Sequence, residues 1–180
     1  MSNALIIIDI QNDYFENGAN PLKGSYEASL NAAKVLEHFR ENHWPVIHIR
    51  HISKRPGSTF FLPDTVGSEI HKHVFPLKDE KVVIKHYPNS FRDTELLKLL
   101  QERNVTNLTV CGMMTQMCVD ATVRAAKDFG FEVTLIADAC ATKDLTIQNK
   151  SITAENVQNS FLAALNYFYA KVVSTNEYLS

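Results

Sequence analysis

The sequence predicts an α/β protein, a three-layer α/β/α sandwich around a six-stranded parallel sheet. Two observations carry that expectation. Six short apolar runs rich in β-branched residues recur along the chain, and most of the gaps between them hold longer segments with apolar residues at helical spacing. Strands separated by helices imply parallel pairing, with both faces of the sheet covered.

The strands are expected at Ala4 to Ile8, Val46 to Ile49, Lys81 to Lys85, Asn107 to Cys111, Glu132 to Ala137 and Lys171 to Ser174. Tyr26 to Glu41 reads as a helix because Leu30, Ala33, Val35, Leu36 and Phe39 fall near one face. Thr94 to Gln101 and Thr115 to Phe129 follow, and Ala154 to Tyr169 carries Val157, Phe161, Ala164, Leu165 and Phe168 at the same spacing. Trp44 before Pro45 marks a helix-to-strand turn. The connection from Ser53 to Asp79 is the exception: it is rich in Pro, Gly and His and offers no helical pattern. Loops of that length usually serve function.

With 180 residues, 45% of them apolar, the chain suits one domain spanning 1–180. Eighteen basic against 20 acidic residues give a net charge of -2, which supplies no field for a nucleic-acid backbone. No apolar run reaches bilayer length, and Asp9 interrupts the first one, so neither a membrane partner nor a signal peptide is expected. Three cysteines, Cys111, Cys118 and Cys140, with no Cys-x-x-Cys pair argue for a reducing, cytoplasmic setting.

Ligands of open parallel sheets bind beyond the carboxyl ends of the strands, which directs attention to the polar residues there. Asp9 ends the first strand, Lys85 ends the third, and Cys118 lies just past the fourth. With Thr115 as N-cap, Cys118 falls in the first helical turn, where unpaired N–H groups and a nearby Lys⁺ favour thiolate. Neither Gly-x-Gly-x-x-Gly nor a phosphate loop occurs, so no nucleotide cradle is evident.

Three blocks then stand in order: Ile-Ile-Asp9-Ile-Gln-Asn-Asp-Tyr-Phe, Lys85-His-Tyr-Pro-Asn-Ser-Phe91, and Gly112-Met-Met-Thr-Gln-Met-Cys118-Val-Asp-Ala-Thr-Val-Arg-Ala-Ala126. Together they resemble the isochorismatase-like cysteine hydrolases, which include nicotinamidases and N-carbamoylsarcosine amidase. The resemblance covers nearly the whole chain. It implies a Rossmann-like strand order 3-2-1-4-5-6, Cys118 as nucleophile, Asp9 as general base and then acid, and Lys85 as the charge organising both. It further implies a cis peptide between Met113 and Met114, an oxyanion hole from the backbone N–H groups of Met114 and Cys118, and a homo-oligomer, a dimer or tetramer. The expected activity is hydrolysis of a C–N bond in a small amide, ureido compound or lactam, through a thioester and without a cofactor. Isochorismatase-type cleavage of a vinyl ether and a non-catalytic binding module are the alternatives.

One part of the family pattern is missing. Nicotinamidases carry a metal site read as Asp-x-His after the second strand, where this chain has His48-Ile-Arg50-His51-Ile-Ser53. No metal is therefore assigned, His71 and His73 included, and nicotinamide is disfavoured as substrate. The expected substrate-binding residues are Phe15, His51, Phe60, Phe61, Tyr87 and Phe91, with His51 left between orienting substrate and capping its strand.

Overall fold

The computed structural model describes residues 2–180. In chain order its regular elements are β1 (Ser2–Ile8), α1 (Ser25–Glu41), β2 (Val46–His51), β3 (Lys81–Lys85), α2 (Leu96–Glu102), β4 (Val105–Met113), α3 (Asp120–Asp128) and β5 (Glu132–Ala141). A short hairpin, β6 (Leu145–Ile147) and β7 (Lys150–Ile152), precedes α4 (Ala154–Phe168), β8 (Lys171–Val173) and α5 (Thr175–Leu179). Six strands pair in parallel in the order β3-β2-β1-β4-β5-β8. The sheet is the expected one, with β8 in the sixth place because the hairpin intervenes in sequence.

Alternation along the central strand explains the layers. Ala4, Ile6 and Ile8 point into one core with Leu96 and Leu100 of α2, Val123 and Ala126 of α3 and Leu165 of α4. Leu5 and Ile7 point into a second core against Ala28, Ala32, Val35, Leu36 and Phe39 of α1, with Tyr178 of α5 packed on it. A strand buried on both faces needs no polar side, and β1 has none within Ala4–Ile8.

Three differences from the sequence expectations have physical causes. The hairpin escaped detection because its strands are three residues long and almost wholly exposed, which leaves no apolar alternation to read. Gln148 and Asn149 both take positive φ at its tip, the twist that tight hairpins favour. The segment 115–129 is not one α-helix: a π turn, Thr115–Val119, precedes α3. Met114, not Thr115, occupies the N-cap position, and the Thr115 hydroxyl donates instead to Gln158 Oε1 at 2.6 Å.

The long connection after β2 holds two 3-10 turns, Val66–Ser68 and Lys72–Val74. It is pinned through Asp13, whose carboxylate accepts from Phe61 N at 2.6 Å and Ala19 N at 3.1 Å. Gly67 packs so tightly on that carboxylate that a Cβ there would overlap it. Gly67→Ala is therefore expected to displace Asp13 and cost about 2 kcal/mol, the scale of local overpacking. A urea-unfolding midpoint indistinguishable from wild type would contradict this. Gly112, with φ +139°, lies against the Ile8 carbonyl in the same way, bringing β4 onto β1 where the two strands end.

At the opposite end of the sheet Glu80 accepts from Arg40 Nε at 2.7 Å, Leu77 N at 2.8 Å and His48 Nε2 at 2.9 Å. Burial alone would raise its carboxyl, but these donors overcome that and bring it from 4.5 down to about 2. A carboxylate depressed on folding stabilises above its unfolded value and loses that contribution as pH falls through the folded one. Stability is thus expected to decline between about pH 5 and 2, and less steeply in Glu80→Gln; urea titrations at several pH values check this.

Candidate active site

The strand order reverses between β1 and β4, because the chain runs outward to β2 and β3 and returns to β4 on the other side of β1. Chain ends diverge at such a switch point and leave a crevice. Asp9 follows β1 with φ 50°, a left-handed conformation that Asp tolerates better than most residues. Cys118 lies in the π turn after β4, and Lys85 closes β3 two strands away.

These three meet. Lys85 Nζ is 2.7 Å from Asp9 Oδ2, 3.2 Å from Cys118 Sγ, 3.0 Å from His51 Nδ1 and 3.0 Å from the Tyr87 carbonyl. Asp9 and Lys85 are wholly buried, and Cys118 is 5% exposed. The Asp9–Lys85 contact is an ion pair without hydrogen-bond alignment, and neither carboxylate oxygen has a directed donor among the described residues. The Asp9 oxygens therefore keep lone pairs open to a further hydrogen bond.

Burial pulls the Lys85 ammonium down, but Asp9 and Cys118 more than offset it, so its pKa lies above the ordinary lysine value. Burial pushes the Cys118 thiol up, Asp9 adds to that, and Lys85 opposes without prevailing. This corrects the expectation of a resting thiolate: the thiol keeps its proton until a base removes it. The cause is the dry site, since the π turn and one ammonium do not repay burying sulfur as an anion.

A cavity of about 800 Å³ opens above Cys118. Tyr14, His51, Phe60, Phe61, Tyr87 and Met114 form its walls, and Lys54, Arg55 and Asp93 also reach it. Phe61 adopts φ 55°, costly for a bulky residue, and is held there by its N–H on Asp13 and its carbonyl on Ser53 N at 2.8 Å. Tyr87 carries Arg92 Cζ 3.7 Å above its ring. Two of the expected aromatics lie elsewhere. Phe15 stacks on His71 with ring centroids 3.6 Å apart, and Phe91 packs 5.1 Å from Phe129 in the α3 core.

Two site residues carried no sequence signal of their own. Tyr14 lines the cavity in the place expected of Phe15; its buried phenol has its pKa raised well above the usual value, by burial first and then by Cys118, Asp9 and Asp13. Its neighbour Phe15 is equally aromatic, and only the 3-10 turn Asn12–Tyr14 decides which ring faces the cavity. Gln11 is wholly buried and donates to the carbonyls of His51 at 2.9 Å and Ser68 at 2.8 Å while accepting from His51 N at 2.7 Å. It fixes the end of β2 on which His51 stands.

The residues from His48 to the end of β2 do not fit the nicotinamidase type of metal site. His48 is bound to Glu80, and the Arg50 guanidinium donates to Ser68 O at 2.8 Å. His73 Nδ1 lies 2.8 Å from Ser29 Oγ, while His71 is stacked on Phe15. Asp9, His51 and Cys118 do bring ligand-type atoms within 4.8 Å of one another. The Lys85 ammonium already stands in contact with all three and supplies the positive charge there.

The chain is similar to known proteins over nearly its whole length. A model of the Isochorismatase domain matches residues 3–177. The uncharacterized isochorismatase family protein YddQ of Bacillus subtilis is 50% identical over 179 residues, covering 99% of each chain. A crystal structure of a protein from Oleispira antarctica, assigned as an isochorismatase hydrolase, superposes with a TM-score of 0.95 at 42% identity, over 99% of this chain and 96% of that one. A cysteine hydrolase from Pseudomonas syringae gives 0.92 at 26% identity, over 98% and 90%.

Proposed function

Because the chain belongs to the isochorismatase family of hydrolases, we propose that it hydrolyses a C–N bond of a small amide-like molecule with Cys118 as nucleophile. One observation carries this reading: beneath the cavity a single ammonium, Lys85 Nζ, touches both Asp9 Oδ2 at 2.7 Å and Cys118 Sγ at 3.2 Å.

Each residue then has a task. Asp9, with open lone pairs, takes the thiol proton as the sulfur attacks the scissile carbonyl. Lys85 stabilises the thiolate as it forms, and its charge keeps Asp9 and Cys118 from repelling each other. The oxyanion is held by the backbone N–H groups of Met114 and Cys118. Asp9 next delivers the proton to the departing nitrogen, which leaves as ammonia or an amine. A water deprotonated by the same carboxylate attacks the thioester, and the acid product departs as the thiol is restored.

Phe60, Phe61, Tyr87 and Met114 favour a substrate with an apolar or planar body, since aromatic walls repay its transfer from water. The test is release of ammonia or amine across small amides, ureido acids and lactams, with nicotinamide included and Cys118→Ala as control. Cys118-dependent release supports the reading. Pyruvate release from a vinyl ether that persists in Cys118→Ala would replace it with the isochorismatase-type reaction.

A further inference from the structure

His51 stands where the floor of the cavity meets its wall. Gln11 clamps its backbone on both sides, and its Nδ1 lies 3.0 Å from Lys85 Nζ. An ammonium has three protons and no lone pair, so Lys85 donates and Nδ1 accepts. A neutral imidazole that accepts at Nδ1 carries its proton on Nε2. Burial, aided by Lys85 and His86 and opposed by Asp9, lowers the ring's pKa from 6.5 to about 4. At neutral pH the ring is therefore uncharged, with its single proton at the far nitrogen.

That far nitrogen is free. The ring lines the cavity, and Nε2 has no hydrogen-bond partner among the described residues and is not sealed from solvent. The ring beside it, that of Phe61 with centroids 5.8 Å apart, offers no side-chain hydrogen-bonding group, while Tyr14, Ser53 and Ser58 bring hydroxyls to the cavity. The charged side chains that reach the cavity are Lys54 and Arg55 against Asp93, a surplus of one positive charge.

We propose that His51 is a fixed Nε2–H donor to the substrate, so that the site selects amides bearing a second hydrogen-bond acceptor, a carboxylate or carbonyl, close to the scissile carbonyl. This rests on the amide-hydrolase reading above. The donor cannot become an acceptor while Lys85 remains charged, so a substrate presenting an N–H or an ammonium at this point meets a donor and is rejected. The rim charge favours a carboxylate over a neutral carbonyl.

A lesser role would have His51 only support Lys85. The two roles differ in what they do to Cys118. Loss of support for Lys85 slows the thiol toward every electrophile alike, whereas loss of a substrate donor slows a carboxylate reagent more than an amide one, whose neutral carbonyl is the weaker acceptor.

The first measurement is the side-chain ¹⁵N spectrum of the ¹⁵N-histidine-labelled protein at neutral pH, assigned with His51→Gln. A His51 ring protonated at Nε2 alone is expected; a proton on Nδ1, alone or with Nε2, overturns the proposal whatever the enzyme hydrolyses. The second is the rate of Cys118 alkylation by iodoacetate and by iodoacetamide, read by peptide mass spectrometry in the wild type, His51→Gln and His51→Leu. Gln can accept from Lys85 and donate to the cavity, and is expected to keep the ratio of the two rates within about threefold of wild type. Leu can do neither, and is expected to slow iodoacetate relative to iodoacetamide by roughly tenfold, the scale of one hydrogen bond to a charged group. Equal slowing of both reagents in His51→Leu would reduce His51 to a support for Lys85. Failure of either reagent to label wild-type Cys118 would count against the thiol mechanism, and the tautomer would still be decided by the spectrum.

Discussion

Lys85→Met is expected to be the most damaging single substitution in this protein, costing about 3–5 kcal/mol of stability as well as activity. The Lys85 side chain is wholly buried, and its ammonium is the one cation in contact with the equally buried Asp9 carboxylate among the described residues. Methionine fills the same stem volume but leaves Asp9 charged and dry. The penalty is mainly that orphaned charge, not the worth of the original pair, since two ions in a dry interior recover little beyond their own desolvation. The double variant Asp9→Asn/Lys85→Met should therefore recover more than half of the lost stability while remaining inactive. Urea denaturation of the two variants checks this, and a double variant no more stable than Lys85→Met would contradict it.

Cys118→Ala is expected to reduce hydrolysis to background, at least 10³-fold, while costing no more than about 1–2 kcal/mol. Removal of a nucleophile leaves substrate binding and oxyanion stabilisation but no covalent route. The fold should persist because Cys118 contributes one small side chain to the edge of a core that also holds Val119, Val123 and Leu135. The raised thiol adds a pH dependence. A thiol held above its ordinary value stays protonated at neutral pH, so turnover is not expected to rise with a Cys118 thiolate titrating at about 8.5. Activity following a thiol-like ionisation near pH 8 to 9 would contradict the dry-site account.

Asp9 and Lys85 were legible because β-strands of a buried parallel sheet read as continuous apolar runs, so a charged residue at the end of one stands out. The long loop was legible for a similar reason, its Pro, Gly and His content supporting neither period. Tyr14 against Phe15 was not legible. Two adjacent aromatics differ in environment only through the 3-10 turn beneath them, and Asp13, which anchors that turn to Phe61, lies 48 residues away from it in sequence. Phe91 likewise carried a loop-like context, yet its ring is taken up by Phe129 and Phe131.

The sequence by itself determined the α/β class, the placement of the six sheet strands and the position of Asp9 and Lys85 at strand ends with Cys118 just past another, because hydrophobic period and strand-end polarity are local properties. Only the tertiary structure decided the burial that raises the Cys118 thiol, the contact of His51 Nδ1 with Lys85 and which aromatic rings face the cavity. Those depend on distances between residues far apart in the chain, such as Lys85 to His51 and to Cys118, and on how completely water is excluded from the space they share.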